Sequence, residues 1–395
     1  MTGARPRILC ISLSPLRSDA RVLRQIGMLT QIGEVTTVGF GEAPDGVATH
    51  HQVPDGLATL PKTPLGVFAL GLRLHRAVEI AAPAVRWTAD TLAGERFDLV
   101  VANEARALGV AHRVAAGAPV WADMHEWAPE ERTHILSWRL LVAPFMVHLC
   151  SRYLASSSLV TTVGGSIADL YRGRFGVPAA LMRNAGPHRD LAPQPVSDDR
   201  VRLVHSGAAI HGRRLELMIE TMAALDERFT LDLYLMPGGD GGAYLGDLKT
   251  LAAHDRRITF HEPVAPDALP RTLNAYDVGV FWIPPTHTNA RLTLPNKFFD
   301  YVQARLLIAV GPSPEMTRLV DEYDLGVIST GFSAVECAAS LASLDGDAIR
   351  AAKAAADRAA SELNFDADAS RIRTRLLDLL APSTPPTARP LEELS

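Results

Sequence analysis

Apolar runs of strand length alternate with amphipathic, helix-like segments along most of the chain. In the first half, the strand-like runs are residues 7–13, 34–40, 99–102, 120–122 and 159–163, and residues 19–31 carry apolar side chains at helical spacing. Polar loops end these runs, with a Gly/Pro turn after the second. Such an alternation is typical of a parallel, doubly wound sheet.

The alternation stops once and then starts again. Residues 187–200, which include the segment HRDLAPQPVSDDR, have no apolar period and are predicted to form a linker. Strands are then predicted at 201–205, 231–236, 258–260, 278–283 and 306–310, and helices at 213–225, 351–363 and 367–380. We therefore expect domains at 1–190 and 200–365, a helix at 366–381 that packs back on the first domain, and a disordered tail at 382–395.

Charge and cysteine content narrow the class of protein. The net charge of −5 argues against a general nucleic-acid binder. Residues 1–187 carry +3 and the remainder −8, so the first half is the side that favours an anionic acceptor or a membrane surface. The three cysteines are scattered, and no Cys/His cluster suggests zinc. These features indicate a reducing compartment, and we expect a cytoplasmic protein.

No stretch of 18 uncharged apolar residues is present, and the N-terminus lacks the flanks of a signal peptide. Residues 65–85 come closest to a membrane segment, but four polar or charged side chains interrupt them. They are predicted to form one amphipathic helix. Core packing is its favoured role, and weak peripheral contact with a membrane is the less favoured alternative.

Ligands of open parallel sheets bind beyond the carboxyl ends of the strands, so the loops after the strands are the candidate sites. After the first strand, Ser18 or Asp19 could cap a helix whose amides bind an anion, although a purely structural cap is an equally good interpretation. A Gly-x-Gly-x-x-Gly motif is absent there, which disfavours a dinucleotide. In the loop 121–130, His125 is flanked by Asp123 and Glu126, as a ligand contact or proton-transfer group would be; the alternative is a structural surface histidine.

Two loops of the second half carry cations. Gly207 would allow the backbone close to a ligand, and Arg213 could bind a phosphate through its forked guanidinium. In the segment 293–311, Lys297 and Asp300 are three residues apart and share one side of a predicted helix near its start. A diphosphate and ribose hydroxyls would suit them; an ordinary ion pair is the alternative.

Taken together, these segments resemble the retaining glycosyltransferases of the GT-B fold, specifically glycosyltransferase family 4. The resemblance runs over about residues 7–326. It is carried by SDARVLRQ after the first strand, DLVVAN ending at Asn103, DMHE at 123–126, FGV at 175–177 with RN at 183–184, SG at 206–207 followed by RRLE at 213–216, TFHEPV at 259–264 and PNKFFDY at 295–301. It implies two Rossmann-like doubly wound parallel-sheet domains that face a central cleft.

The resemblance also implies a function and a set of roles. The donor is a UDP- or GDP-linked sugar bound mainly by the second domain; the acceptor is a hydroxyl compound on the side of the first domain, and neither a metal nor another cofactor takes part. The enzyme would be a hexosyltransferase. The candidate catalytic residues are His125, Asp19, Arg213 and Lys297; the donor-binding residues are Ser18, Gly207, Arg213, Val264, Pro295, Asn296, Lys297 and Asp300; the acceptor-side residues are Asn103, Glu104 and Glu126.

The chain departs from the family pattern at several positions. Members often carry two glutamates eight residues apart; here Leu292 occupies the first position, which contacts the sugar, and Asp300 the second. Arg213 replaces a lysine and Arg214 the glycine that follows it. A nucleotide-sugar epimerase and a non-catalytic donor-binding subunit remain open as alternatives. An NAD-dependent oxidoreductase is disfavoured by the missing glycine motif.

Overall fold

Two parallel sheets, each covered by helices, make up the protein. The computed structural model describes residues 5–381. The seven strands of the first sheet are β1 (Arg7–Pro15), β2 (Glu34–Phe40), β3 (Thr49–Val53), β4 (Leu99–Asn103), β5 (Val120–Met124), β6 (Leu159–Thr162) and β7 (Ala180–Leu181), in the order β3-β2-β1-β4-β5-β6-β7. The six strands of the second are β8 (Val201–Ala209), β9 (Phe229–Pro237), β10 (Ile258–His261), β11 (Val278–Phe281), β12 (Leu307–Val310) and β13 (Gly326–Ile328), in the order β10-β9-β8-β11-β12-β13. The predicted pair of doubly wound sheets is confirmed.

The central strands are apolar because both of their faces are covered. All five residues of β4 and of β5 are buried, and the same holds for the four residues of β12. Continuous burial of this kind is typical of parallel sheets with helices on both sides. Every strand pair is parallel, so the carboxyl ends of the strands meet at one edge of each sheet. The short strands β3, β7 and β13 were not predicted, since their sequences carry weak apolar patterns.

The helices of the first domain are α1 (Ala20–Leu29), α2 (Pro64–Gly71), α3 (His75–Val78), α4 (Pro83–Thr91), α5 (Ala105–Ala115), α6 (Ala143–Tyr153) and α7 (Gly165–Phe175), with a π-helical turn at Trp138–Val142 before α6. Those that follow the linker are α8 (Glu216–Met222), α9 (Ala243–Ala252), α10 (Leu269–Leu273), α11 (Thr288–Arg291), α12 (Asn296–Gln303), α13 (Pro314–Tyr323), α14 (Ala334–Ala342), α15 (Gly346–Ala360) and α16 (Phe365–Leu380). Helix α12 carries the Lys297/Asp300 pair at its start, as predicted.

Two helix predictions were wrong in detail. The single helix predicted at 65–85 is broken into α2, α3 and α4, because Arg73 adopts a φ of 59° and Pro83 begins a new helix at its first turn. The helix predicted from residue 213 begins at Glu216, because Arg214 has a φ of 51°. That left-handed backbone is the conformation glycine adopts most easily, so the fold keeps a glycine-like turn where the sequence has arginine.

Helix α16 leaves the second domain and packs on the first. Its buried residues Ile372 and Leu376 belong to the same apolar cluster as Val22 and Ile26 of α1. At its start, the carboxylate of Asp368 accepts hydrogen bonds from the guanidinium and backbone N–H of Arg183 at 2.6–3.0 Å. The chain therefore joins the two domains both through the linker and through α16.

A second contact between the domains lies at α7. Gly165 and Ser166 donate their backbone N–H groups to the carboxylate of Glu315 in α13, at 2.9 and 2.6 Å. A negative charge at a helix N-terminus stabilises the exposed amides and the helix dipole. Glu315 is fully buried, so this cap belongs to the interior of the interface.

None of the helices at residues 5–381 is long and apolar enough to cross a membrane. The three cysteines are buried and unpaired. The predicted disordered tail at 382–395 lies outside the described residues.

Packing of α16 against the first domain can be measured by truncating one buried side chain. Leu376→Ala is expected to lower the free energy of unfolding by about 2–5 kcal/mol, because it leaves a cavity between α16 and the β1 sheet. Leu377→Ala is the matched control: the next residue on the helix is 50% exposed, and its loss should change stability by less than about 0.5 kcal/mol. Urea denaturation of the full chain measures both. If both variants lower the free energy of unfolding equally and only slightly, the packing of Leu376 against the first domain contributes little to stability.

Candidate functional site

A buried carboxylate organises the polar residues at the carboxyl edge of the first sheet. Asp123, at the end of β5, accepts two hydrogen bonds from the guanidinium of Arg21 at 3.0 and 2.7 Å. Gln25 and Thr161 donate to the same carboxylate at 3.1 and 2.6 Å. Burial alone would raise the pKa of Asp123, but Arg21 and His125 outweigh it and hold that pKa well below its usual range. Asp123 is therefore a permanent negative charge.

His125 is held in one orientation by this network. Its Nε2 lies 3.1 Å from Asn103 Oδ1, whose amide nitrogen donates to Gln25. An amide oxygen only accepts, so Nε2 carries the proton. Nδ1 lies 3.6 Å from Glu104 Oε1. Asn103, predicted on the acceptor side, is buried and orients the histidine.

Carboxylates surround the open side of His125. A small pocket, which we call cavity C, is lined by Glu104, Arg106, His125, Glu126 and Glu131, with apolar residues below. Desolvation in the cleft, together with the charges of Glu104 and Glu131, raises the pKa of Glu126 to about 7. Arg106 forms ion pairs with Glu104 at 2.9 Å and with Glu131 at 3.3 Å. This part of the first domain can exchange a proton near neutral pH.

A larger cavity, of about 320 Å³, lies between the domains; we call it cavity A. It opens at the carboxyl edge of the second sheet, and the start of α1 supplies part of its wall. Five of the predicted donor-binding residues line it: Gly207, Val264, Asn296, Lys297 and Asp300. The lining also includes residues for which no contact was predicted: Arg24, Arg189, Ser206, Tyr234 and Leu269.

Lys297 lies directly against the backbone of Gly207. A Cβ at residue 207 would come within 2.3 Å of Lys297 Cε, so any larger residue there would displace the end of the lysine side chain. Gly207 also has a φ of 151°, at the edge of the region that side chains avoid. Burial and the charge of Arg213 lower the pKa of Lys297.

Arg213 and Lys297 meet at a second cavity of about 340 Å³, cavity B, which is also lined by His211, Thr286, His287, Thr293 and Pro295. Lys297 lines both cavities and so marks their boundary. Arg213 donates one long hydrogen bond, 3.4 Å, to the carbonyl of Ala208, and burial lowers its pKa. Within residues 5–381, neither cation lies within 4.0 Å of a carboxylate. Two partly buried like charges stay unpaired.

Asp300 faces cavity A one helical turn beyond Lys297. Burial raises the pKa of Asp300 to about 6, although Lys297 and Arg24 oppose the rise. Its carboxylate can accept hydrogen bonds from a ligand's hydroxyl groups.

Three residues of cavity A for which no ligand contact was predicted carry unpartnered polar atoms. The side-chain Nε atoms of Arg24 and Arg189 and the hydroxyl of Ser206 are buried without a hydrogen-bond partner. Buried polar groups are rarely left unpaired, so these atoms are candidates for ligand contacts. Arg24 could have been found from the sequence, because it lies three residues after Arg21 on the same face of the predicted helix. Arg189 lies in the predicted linker, where no sequence pattern indicates a binding residue.

Ser18 and Asp19 have local structural roles. The Asp19 carboxylate accepts from the backbone N–H of Val22 at 3.2 Å and from the Ser14 hydroxyl at 2.9 Å, so it caps α1. The exposed Ser18 hydroxyl donates to the carbonyl of Pro15. The geometry thus favours the structural interpretation of this loop, because the Asp19 side chain already caps the Val22 amide at the start of α1.

The segment around α11 connects the second domain to the His125 loop. Asn289 accepts a hydrogen bond from Trp127 N–H at 2.9 Å and donates to Glu126 Oε2 at 3.1 Å. Leu292 is 5% exposed and packs in the apolar cluster of the first domain. The expectation that Leu292 faces the donor sugar is therefore wrong, because its side chain belongs to the interface. Thr293, the next residue, lines cavity B instead.

In residues 5–381, no group of three or more His, Cys, Asp or Glu side chains is arranged to hold a metal ion.

Loss of the Asp123 charge tests the network that holds His125. Asp123→Asn leaves the buried guanidinium of Arg21 without a counter-charge, and we expect the free energy of unfolding to fall by about 3–5 kcal/mol. Asp169→Asn is the control, since Asp169 pairs with Arg172 at 3.1 Å on the exposed surface and should change stability by less than about 1 kcal/mol. Denaturant unfolding separates the two; similar small changes would show that the buried pair is dispensable.

No protein family and no curated protein matches the sequence. Solved structures do match the fold. HepE from Anabaena, solved with UDP-glucose, is 17% identical to this chain and superposes with a TM-score of 0.67. The alignment covers 94% of this chain and 100% of the HepE chain. Sucrose-phosphate synthase from Thermosynechococcus elongatus is 15% identical over 95% of this chain and 99% of its own, with the same TM-score. A glycosyltransferase from Rickettsia africae is 12% identical over 96% and 100%, with a TM-score of 0.66. The chain therefore has the two-domain GT-B fold.

Proposed function

We propose that the protein is a retaining glycosyltransferase of the family 4 type, which moves a hexose from a UDP- or GDP-linked donor to a hydroxyl acceptor without a metal ion. The observation that carries the proposal is the unpaired pair of cations, Arg213 and Lys297, where cavities A and B meet. In a nucleotide diphosphate-sugar, the negatively charged diphosphate lies between the nucleoside and the sugar. Cavities A and B could hold the nucleoside and the sugar, with the diphosphate at the two cations where the cavities meet.

The electrostatics of the pair favour an anionic ligand. Burial and mutual repulsion lower the pKa of Lys297, which means that its charged form is destabilised in the free protein. A bound diphosphate would reverse that effect and accept charge-assisted hydrogen bonds. The same interactions strengthen as negative charge develops on the leaving group, so the cations would lower the barrier to transfer.

In this proposal, the nucleoside occupies cavity A. Tyr234, Val264 and Leu269 provide an apolar wall for the base. Asp300 accepts hydrogen bonds from the ribose hydroxyls, and the unpartnered Ser206 hydroxyl reaches the ribose or the nearer phosphate. Arg24, from the first domain, reaches the same ligand from the opposite wall, so donor binding would draw on both domains.

The sugar would occupy cavity B, with the acceptor between it and the His125 loop. The acceptor oxygen forms a bond to the anomeric carbon as the carbon–oxygen bond to the diphosphate breaks. The bond electrons leave with the diphosphate, and the acceptor proton passes to its departing oxygen. His125 would contact a sugar or acceptor hydroxyl through Nδ1, since Asn103 fixes its Nε2 proton.

Proteins of similar fold support the donor class. HepE was solved with UDP-glucose, with UDP, and with UDP and glucose, at TM-scores of 0.66–0.68 to this chain. A trehalose-phosphate protein from E. coli, bound to UDP-2-fluoro glucose, has a TM-score of 0.64.

Nucleotide titration tests the cation pair. Arg213→Ala and Lys297→Ala should each weaken the binding of UDP or GDP by about 10- to 100-fold, because each removes a charged hydrogen-bond donor worth about 1.5–3 kcal/mol. Arg214→Ala is the matched control: it removes a neighbouring exposed guanidinium and should leave affinity within about twofold. Calorimetry measures all three. Unchanged affinity in both test variants would refute the assignment.

Turnover tests the reaction itself. With a panel of UDP- and GDP-sugars and a hydroxyl acceptor extract, we expect release of nucleoside diphosphate from one donor, at a rate that EDTA does not change. Lys297→Ala should lower the rate on the order of 100-fold. The anomeric configuration of the product, read by NMR, should equal that of the donor.

Three results would contradict parts of this proposal. An inverted product excludes the retaining mechanism. Activity that is lost in EDTA and restored by magnesium or manganese reveals a metal requirement. An epimer formed from the donor without an acceptor identifies an isomerase instead of a transferase.

A further inference from the structure

Large apolar side chains are exposed mainly on one part of the first domain. In the described chain, thirteen such side chains are exposed, and eight of them come from two short stretches around α2 and before α6. Their exposed fractions range from 41% to 78%; the residues are Leu65, Val67, Phe68, Leu72, Leu74, Ile135, Leu136 and Leu140. We call this set the apolar face.

The two stretches form one continuous surface. Helix α2 packs against the π-helical turn Trp138–Val142, and Arg73 donates a hydrogen bond to the carbonyl of Leu140 at 2.7 Å. The stretches are thus held together by this packing and by the hydrogen bond from the Arg73 side chain, although some 65 residues separate them in sequence. A monomeric protein rarely exposes a concentrated apolar surface without a partner for it.

The charge around the apolar face is mainly positive. Five exposed cations belong to the same two stretches, namely Lys62, Arg73, Arg76, Arg132 and Arg139. The sequence has a single acidic residue between 56 and 89, Glu79, and none between 132 and 168. Glu79 is 10% exposed and engaged by His148, Arg152 and Tyr153. Arg132 pairs with Glu131 at 3.6 Å; within residues 5–381, no carboxylate lies within 4.0 Å of the side-chain nitrogens of the other four cations.

Apolar side chains ringed by arginines suit the interface of an anionic bilayer. The apolar groups gain by entering the acyl boundary, and each cation near the surface gains from anionic headgroups. A second copy of this face would set cation against cation, so the charge pattern disfavours a symmetric dimer. An acidic protein surface is the rival occupant, and the dependence of flotation on anionic lipid separates it from a bilayer.

We propose that the apolar face binds peripherally to the surface of an anionic lipid bilayer, with α2 and the turn at 135–140 entering the headgroup layer. The sequence had favoured core packing for residues 65–85, but the structure leaves much of α2 unburied. The inference concerns binding alone and does not depend on glycosyl transfer.

The face adjoins the His125 side of the cleft. Glu131, which lines cavity C, directly precedes Arg132 of the face, and Arg106 links Glu131 to Glu104 beside His125. A docked protein would hold cavity C close to the bilayer.

Vesicle flotation tests the proposal with the full chain. Wild type should float with vesicles of equal parts phosphatidylglycerol and phosphatidylcholine, and should float much less with phosphatidylcholine alone or at high salt. The double substitution Leu65→Gln/Phe68→Gln should lower the partition coefficient on the order of 100-fold. Arg76→Gln/Arg139→Gln should lower it about 25-fold, at roughly fivefold for each charge. Leu251→Gln/Leu377→Gln is the matched control, because these side chains are 49% and 50% exposed away from the face.

The outcomes separate this proposal from its rivals and from the proposed function. Loss of flotation in both face variants, with the control unchanged, supports it. Equal flotation of wild type and Leu65→Gln/Phe68→Gln overturns it. The proposal is also overturned if the wild type does not float, sediments as a dimer, and loses that dimer in the Leu65→Gln/Phe68→Gln variant. UDP titration of the same samples reports on the donor site: vesicle binding without nucleotide binding counts against the proposed function only, and the reverse counts against this surface only.

Discussion

The proposed binding of an anionic donor depends on two unpaired cations where cavities A and B meet. Arg213 and Lys297 are partly withdrawn from water, repel one another and have no carboxylate within ion-pair distance. In most proteins a buried charge is paired, because an unpaired one costs solvation energy that nothing else returns. The backbone holds the two cations at this place: Gly207 leaves the space that Lys297 fills, and the left-handed turn at Arg214 directly follows Arg213. An anionic ligand removes the cost, so binding and electrostatic strain are coupled.

The first domain supplies an opposite arrangement. There the central charge is a carboxylate, Asp123, and it is fully paired by Arg21, Gln25 and Thr161. The network fixes His125 and leaves its second nitrogen toward Glu104. The two halves of the cleft thus differ physically: one holds a buried carboxylate with several hydrogen-bond donors, and the other holds two cations without a carboxylate partner. Helix α16, Glu315 and Asn289 connect the halves, which keeps these two surfaces opposite one another.

Much of this arrangement could be predicted from the sequence, for a simple reason. Parallel strands end at a common edge, so the carboxyl end of β8, which carries Gly207, and the segment after β11, which carries Lys297, had to come together, although about 90 residues separate the two residues. The hydrophobic pattern predicted the two sheets without their short strands β3, β7 and β13. The contacts between the domains could not be predicted in this way. The positions of Arg24 and Arg189 in cavity A and the burial of Leu292 depend on how the two sheets face one another. Asp19 shows a different limit, since one sequence pattern serves equally as a helix cap and as an anion site. The segment 65–85 had a helical period, but Arg73 and Pro83 broke it, and its exposed side was visible only in three dimensions.

The most direct measurement is a crystal structure of the protein with UDP. We expect the diphosphate within hydrogen-bond distance of Arg213 and Lys297, the ribose hydroxyls at Asp300, and the base against Tyr234 and Val264. UDP bound elsewhere, or bound with its diphosphate away from both cations, would refute the proposed donor site.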